Sequence, residues 1–317
     1  MQKIPVGKHA WMVSDAEDST KTIVVDVKQQ KVVRTLTLGN SNAQLMWPTS
    51  RGGLLVQAGS EMWLYNADLA KIATFPMAEA HSRIQFSPDA SVLSIQTPSW
   101  SKTAGGKWQS NGKTDFLQAD ALTLIPVVNP PKVPILADSG FVQVEQSDGD
   151  VYFRPFASSE RTLLTKSKAK CTARVFSLGH DKVLVGPNCS DREAKLLSLA
   201  GGPSVPINAG DLAFAQTSTS GATFVLGFQR KSRMHFLKDF NLLGDLAGTE
   251  EISELASLEA YESNSGKKIF QLTWKTAKDE PLYNSYDNSA VALSPDGLML
   301  AMIHGNWLEV YQLPVSH

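Results

Sequence analysis

The feature that most constrains this chain is a recurrent pair of short β-rich runs separated by an acidic or polar turn. Residues 22–27 (TIVVDV) lead through Lys28-Gln29-Gln30-Lys31 into 32–38 (VVRTLTL), and residues 62–68 with the return 71–75 repeat the arrangement. Weaker copies lie at 117–128, 151–164, 196–207, 258–272 and 307–311, which makes seven. With Asp26, Asn66, Asp120, Pro155, Ser198, Glu262 and Gln312 as equivalent points, the repeat averages about 48 residues. Such a period predicts one β-rich unit per repeat, each unable to bury its own apolar faces alone.

A second element precedes two of these pairs. Ile84-Gln85-Phe86-Ser87-Pro88-Asp89-Ala90 is followed by Val92-Leu93-Ser94-Ile95, and Val291-Ala292-Leu293-Ser294-Pro295-Asp296-Gly297 by Met299-Leu300-Ala301-Met302. Proline presets φ and Asp-Gly favours a tight reversal, so each reads as inner strand, turn, next strand. Residues 290–314 thereby resemble the blade motif of WD40-like and TolB-like bacterial β-propellers. The Gly-His and Trp-Asp pairs of regular WD40 repeats are missing, so the resemblance is to degenerate blades. It implies an all-β, seven-bladed β-propeller spanning 1–317 as a single domain, with blades near 1–39, 40–79, 80–130, 131–166, 167–208, 209–275 and 276–317. The ring would be closed by N- and C-terminal strands, the first from residues 1–12. Two β-sandwiches would show similar alternation and are the competing fold. Residues 249–260 have some amphipathic character and predict a turn or two of helix.

Hydrophobic residues make up 42% and charged ones 19%, a core-forming composition. Thirty basic against thirty-one acidic residues supply no global field for nucleic acid or an anionic membrane. No apolar run approaches the roughly 20 residues that span a bilayer. The first residues lack an apolar signal core, which leaves two placements open: the cytoplasm, or outside it with a signal peptide absent from this chain.

Cys171 and Cys189 flank a predicted hairpin turning at Gly179-His180-Asp181. Counting outward from His180 pairs Leu178 with Lys182, Phe176 with Leu184, and Cys171 with Cys189. A bridge across one blade is geometrically possible, and two reduced buried thiols are the alternative. A bridged pair favours the extracytoplasmic placement.

Chemistry-bearing motifs are scarce. The six histidines form no HExxH or His-x-His pattern, and no GxSxG elbow, P-loop or dinucleotide fingerprint occurs. Asp115, Asp120, Asp148 and Asp150 could in principle collect around calcium, but Asp148-Gly149-Asp150 reads more simply as a hairpin turn. No catalytic residue, metal or cofactor is expected. Two insertions carry recognition-type residues: Trp100 and Trp108 in 100–115, and Arg230, Arg233, His235 and Phe236 in 228–246. These point to a monomeric, non-catalytic scaffold whose partner is another protein. The alternative is a lactonase-like or quinoprotein-like propeller acting on a small molecule in its channel, although the inner strands Ile84-Gln85-Phe86 and Val291-Ala292-Leu293 offer it few polar groups.

Overall fold

The computed structural model describes residues 2–5, 21–37, 43–78, 82–97, 100–102, 108–110, 112–131, 135–145, 149–166, 174–186, 193–210, 212–231, 253–274, 291–304 and 307–314. These form strands and turns, with no helix among the described residues. β1 is Gln2–Pro5, and β2 (Lys21–Asp26) pairs with β3 (Lys31–Thr37) as a hairpin. The first blade comprises β4 (Ala43–Pro48), β5 (Leu54–Ala58), β6 (Glu61–Tyr65) and β7 (Lys71–Pro76). In the second, β8 (Arg83–Phe86) and β9 (Val92–Thr97) are separated from β12 (Lys113–Gln118) and β13 (Thr123–Leu124) by a small hairpin of β10 (Trp100–Lys102) and β11 (Trp108–Ser110).

The third blade is β14 (Ile135–Leu136), β15 (Gly140–Val144), β16 (Val151–Pro155) and β17 (Thr162–Thr165). The fourth is β18 (Arg174–Gly179), β19 (Lys182–Gly186), β20 (Glu193–Ser198) and β21 (Val205–Asn208). The fifth is β22 (Leu212–Thr217), β23 (Thr223–Lys231), β24 (Ser253–Glu262) and β25 (Lys268–Thr273). The sixth takes β26 (Val291–Leu293), β27 (Met299–His304) and β28 (Trp307–Gln312) from the end of the chain and its outer strand, β1, from the beginning. Gln2 pairs with Val310 and Pro5 with Trp307, so the chain ends are hydrogen-bonded into one sheet.

Among the described residues the arrangement is a β-propeller of six four-stranded blades, not the seven expected. The described residues within 1–39 do not build a four-stranded blade of their own: β1 is given to the sixth, and β2–β3 is a two-stranded sheet. That hairpin carries the strand-turn-strand pattern on which the count of seven rested, and it packs against the first blade through Leu36 beside Val56 and Tyr65.

From the first blade to the sixth, successive blades bury apolar faces against one another, so the core is distributed between blades. Leu55 and Met62 meet Leu93 and Leu117; Phe116 meets Phe141. Val142 meets Val183, Leu184 meets Phe224, and Leu258 meets Leu300. The second strands lie deepest: β9 and β19 are buried on consecutive residues (VLSI, VLV), and their sequences do not alternate.

Where the helix was expected, at 249–260, the described residues from Ser253 onward form strand β24 (Ser253–Glu262). Phe228 pairs with Ser257 and Gln229 with Leu255, which leaves Ala256 as an extra residue in the ladder. A bulge of this kind lets Leu255 and Leu258, three apart, both be buried, and three-residue spacing imitates a helix in the sequence. The hairpin of the fourth blade also differs in detail. Phe176 does face Leu184, but a bulge places Gly179, not Leu178, opposite Lys182.

Candidate interaction face

Blade topology sorts the connections onto two faces. Turns joining first to second strands span 49–53, 87–91, 137–139, 180–181, 218–222 and 294–298, all tight and all on one face with the third-to-fourth turns. The opposite face receives the second-to-third connections and the crossings between blades. The strand ends Thr97, Lys231 and Thr273, from which the chain enters 98–112, 232–252 and 274–290, lie at this face.

The tight-turn face is held by a repeated device. In four blades a hydroxyl at the head of the turn accepts a backbone N–H from its far side: Gly53 to Thr49 Oγ1 at 3.0 Å, Val92 to Ser87 Oγ at 2.9 Å, Thr223 to Ser218 Oγ at 3.3 Å, and Met299 to Ser294 Oγ at 2.9 Å. The fourth turn residue is left-handed in each: Gly52, Ala90, Gly221 and Gly297. The Ser-Pro-Asp turns at 87 and 294 were legible in the sequence. The Thr49 and Ser218 copies lack the proline and aspartate and were missed. Where aspartate is present it locks the turn: Asp296 accepts from the Ser294 hydroxyl and the Leu298 N–H, and those bonds hold its pKa below the usual carboxylate range.

Asp138 was also missed. In the 137–139 turn of the third blade, its Oδ1 accepts the Asp89 N–H at 3.0 Å and its Oδ2 the His180 N–H at 2.9 Å. Burial raises its carboxyl to about 6, helped by the nearby charge of Asp89 and opposed by the two amides.

The described members of the predicted contact set, Trp100, Trp108 and Arg230, belong to strands that end at the other face. Trp100 and Trp108 lie on β10 and β11, the hairpin inserted between second and third strands of the second blade, where Trp100 pairs with Ser110 and Trp108 with Lys102. Arg230 is near the end of β23, opposite Glu254, at the mouth of the equivalent insertion in the fifth blade. Arg233, His235 and Phe236 lie outside the described residues, as do Cys171 and Cys189; the structure lends the expected bridge no support. The topology therefore assigns the Trp100–Trp108 insertion and the insertion entered at Arg230 to one face, although 120 residues of sequence separate Arg230 from Ser110.

The carboxylates considered for calcium are dispersed. Asp115 pairs with Lys113 at 2.8 Å, and Asp120 accepts the Ser50 hydroxyl at 2.8 Å beside Arg51 at 3.2 Å. Gly149 and Asp150 close a hairpin onto Glu145, and Asp148 lies outside the described residues. Among the described residues no three His, Cys, Asp or Glu side chains are grouped to hold a metal ion, and no helix is long and apolar enough to cross a membrane.

No protein-family model matches the sequence, and no curated protein sequence does. Solved structures do match. A chain of the COPII outer coat vertex on membranes is 9% identical with a TM-score of 0.53, over 94% of this chain and 77% of that one. The fold is that of a WD40-like β-propeller. Kluyveromyces lactis Hsv2 is 12% identical with a TM-score of 0.48, over 84% of this chain and 73% of its own. BBS1N in complex with ARL6DN is 12% identical with a TM-score of 0.47, over 100% and 96%. The likeness supports the WD40-like part of the resemblance read from 290–314 and not its TolB-like, bacterial part. At these identities it concerns the fold alone.

Proposed function

We propose that this WD40-like propeller is a non-catalytic scaffold that binds another polypeptide through the face carrying its long connections. The observation that supports this reading is the segregation of connections: tight turns on one face, and on the other the strand ends Thr97 and Lys231 from which the 98–112 and 232–252 insertions leave. A rigid scaffold presenting recognition residues on loops is a common way to build a binding surface. Trp100, Trp108, Arg230, Arg233, His235 and Phe236 are the proposed contacts, since Trp and Arg dominate interface energetics when they are desolvated. The working unit is the single domain 1–317 as a monomer, and the partner is a protein rather than nucleic acid or a bilayer.

The test is affinity capture from native extract with wild type and with a triple variant, Arg230→Ala, Arg233→Ala and Phe236→Ala, whose folding is checked by circular dichroism. A partner retained by wild type and lost by the folded variant supports the assignment. A partner held equally by both refutes these contacts. A small molecule co-purifying with no protein partner replaces the scaffold reading with a channel ligand.

A further inference from the structure

The tight-turn face has a feature that the scaffold reading does not use. The first-to-second-strand turns of four consecutive blades pack together around Asp138. A Cβ placed on Gly179 of the fourth blade would lie 3.2 Å from Pro88 Cβ of the second, 3.5 Å from Gly221 Cα of the fifth and 3.6 Å from Asp138 Oδ2 of the third. Within this cluster the Asp138 carboxylate accepts one backbone N–H from the preceding blade, at Asp89, and one from the following blade, at His180. Two separate oxygens are used, so one side chain spans three blades.

The charged groups facing this carboxylate are Asp89 on the 87–91 turn and Asp181 on the 180–181 turn, both acidic. Asp89 is committed to its own turn, accepting the Ser87 hydroxyl at 2.6 Å, the Ser91 hydroxyl at 2.8 Å and the Ser91 N–H at 3.0 Å. The His180 imidazole is directed to Gly221, whose added Cβ would lie 2.4 Å from His180 Cδ2. No cation is therefore supplied to Asp138 by these turns, and only the two amides favour its charged form. Burial and the acidic neighbours oppose it, and the carboxyl changes state at about pH 6.

We propose that Asp138 is a proton-operated latch joining the innermost turns of the second, third and fourth blades. As a carboxylate it accepts from both Asp89 and His180. Taking one proton from solvent converts one oxygen to a hydroxyl, itself a donor, and only the carbonyl oxygen then remains a good acceptor. One of the two neighbouring turns is released, and the rigidity of this face becomes a function of pH. The latch is independent of which partner, if any, the opposite face binds.

The test is amide hydrogen exchange on the full chain by NMR between pH 5 and pH 7.5, with the intrinsic pH dependence of exchange divided out. The protection factor of the Asp89 or the His180 amide should fall about tenfold or more at the acid end, the scale of losing a hydrogen bond to a charged acceptor. Leu93 and Leu184, in the strands that follow the two turns, should hold theirs. In Asp138→Asn the same amide should be poorly protected at both pH values. Unchanged protection in wild type, or the same pH step in Asp138→Asn, overturns the latch. If the variant does not fold, the wild-type Asp138 carboxyl carbon decides: titration near about 6 in step with the amide supports the proposal, and titration below about 4.5 overturns it.

Discussion

Phe214 on β22 lies against Gly227, its partner on β23, so closely that a Cβ at residue 227 would sit 2.2 Å from Phe214 Cε1. Phe214 and Leu226, the residue before Gly227, are both buried, so the ring has little room to retreat. Glycine inside a strand weakens it in general, and here it is required by close approach of an aromatic ring. Gly227→Ala is expected to destabilise the protein by about 1–3 kcal/mol, the range of overpacked cores. Adding Phe214→Leu should recover part of the loss. A double-mutant cycle in urea with purely additive effects would show that the two residues are not coupled.

Arg154 on β16 is 6% exposed and donates to the carbonyls of Val128 at 3.1 Å and Asn129 at 2.6 Å, with its guanidinium 5.3 Å from the centre of the Phe141 ring. It ties the segment entering the third blade to that blade's third strand. Arg154→Leu removes both donors and is expected to cost on the order of 2–4 kcal/mol. Arg154→Lys should rescue only a fraction, because a point charge cannot reproduce a planar fork. Equal unfolding midpoints for lysine and arginine would show that charge alone suffices.

The β1–β28 pairing joins the two ends of the chain. Deleting residues 1–5 removes the outer strand of the sixth blade and turns β28 into an exposed edge. The truncated chain is expected to lose on the order of 3 kcal/mol, at about 1 per ladder hydrogen bond, and to self-associate as concentration rises. Analytical ultracentrifugation and thermal melts read the two effects. A melt unchanged at all concentrations would mean that the strand contributes nothing to closure.

Stability should also report on Asp138. Its folded carboxyl holds a proton up to about pH 6, against 3.8 for an ordinary aspartate, so between those values the folded chain binds more protons than the unfolded one. The contribution of this group is therefore largest below the unfolded value and declines as pH rises through about 6. Urea unfolding of wild type and Asp138→Asn, compared at pH 4.5 and pH 7.5, should show wild type gaining relative to the variant in acid. A difference of opposite sign would mean that the amides outweigh burial.

The readable parts of the fold were those whose physics is local. The Ser87-Pro88-Asp89 and Ser294-Pro295-Asp296 turns carry their own hydroxyl, fixed φ and carboxylate, and they are turns in the structure. Turns built on Thr49 and Ser218 achieve the same closure with a hydroxyl and a glycine, a combination too generic to notice in a sequence. At 253–262 the sequence misled, because a bulge at Ala256 changes which residues share a face without leaving any local mark. The Trp100, Trp108 and Arg230 candidates were legible as residue types in insertions, but not as residues of one face.

By itself, the sequence determined that the chain is an all-β array of strand-turn-strand units, because alternation and turn chemistry act over a few residues. Tertiary structure decided the rest. A repeat count registers hairpins, so the difference between six blades and seven depended on where β1 and the β2–β3 hairpin found partners. Asp138 gives no local signal, since its two donors are 49 and 42 residues away and meet it only when three blades pack. Hydrogen bonds between blades, like the apolar contacts between them, are set by the order in which sheets close around the axis.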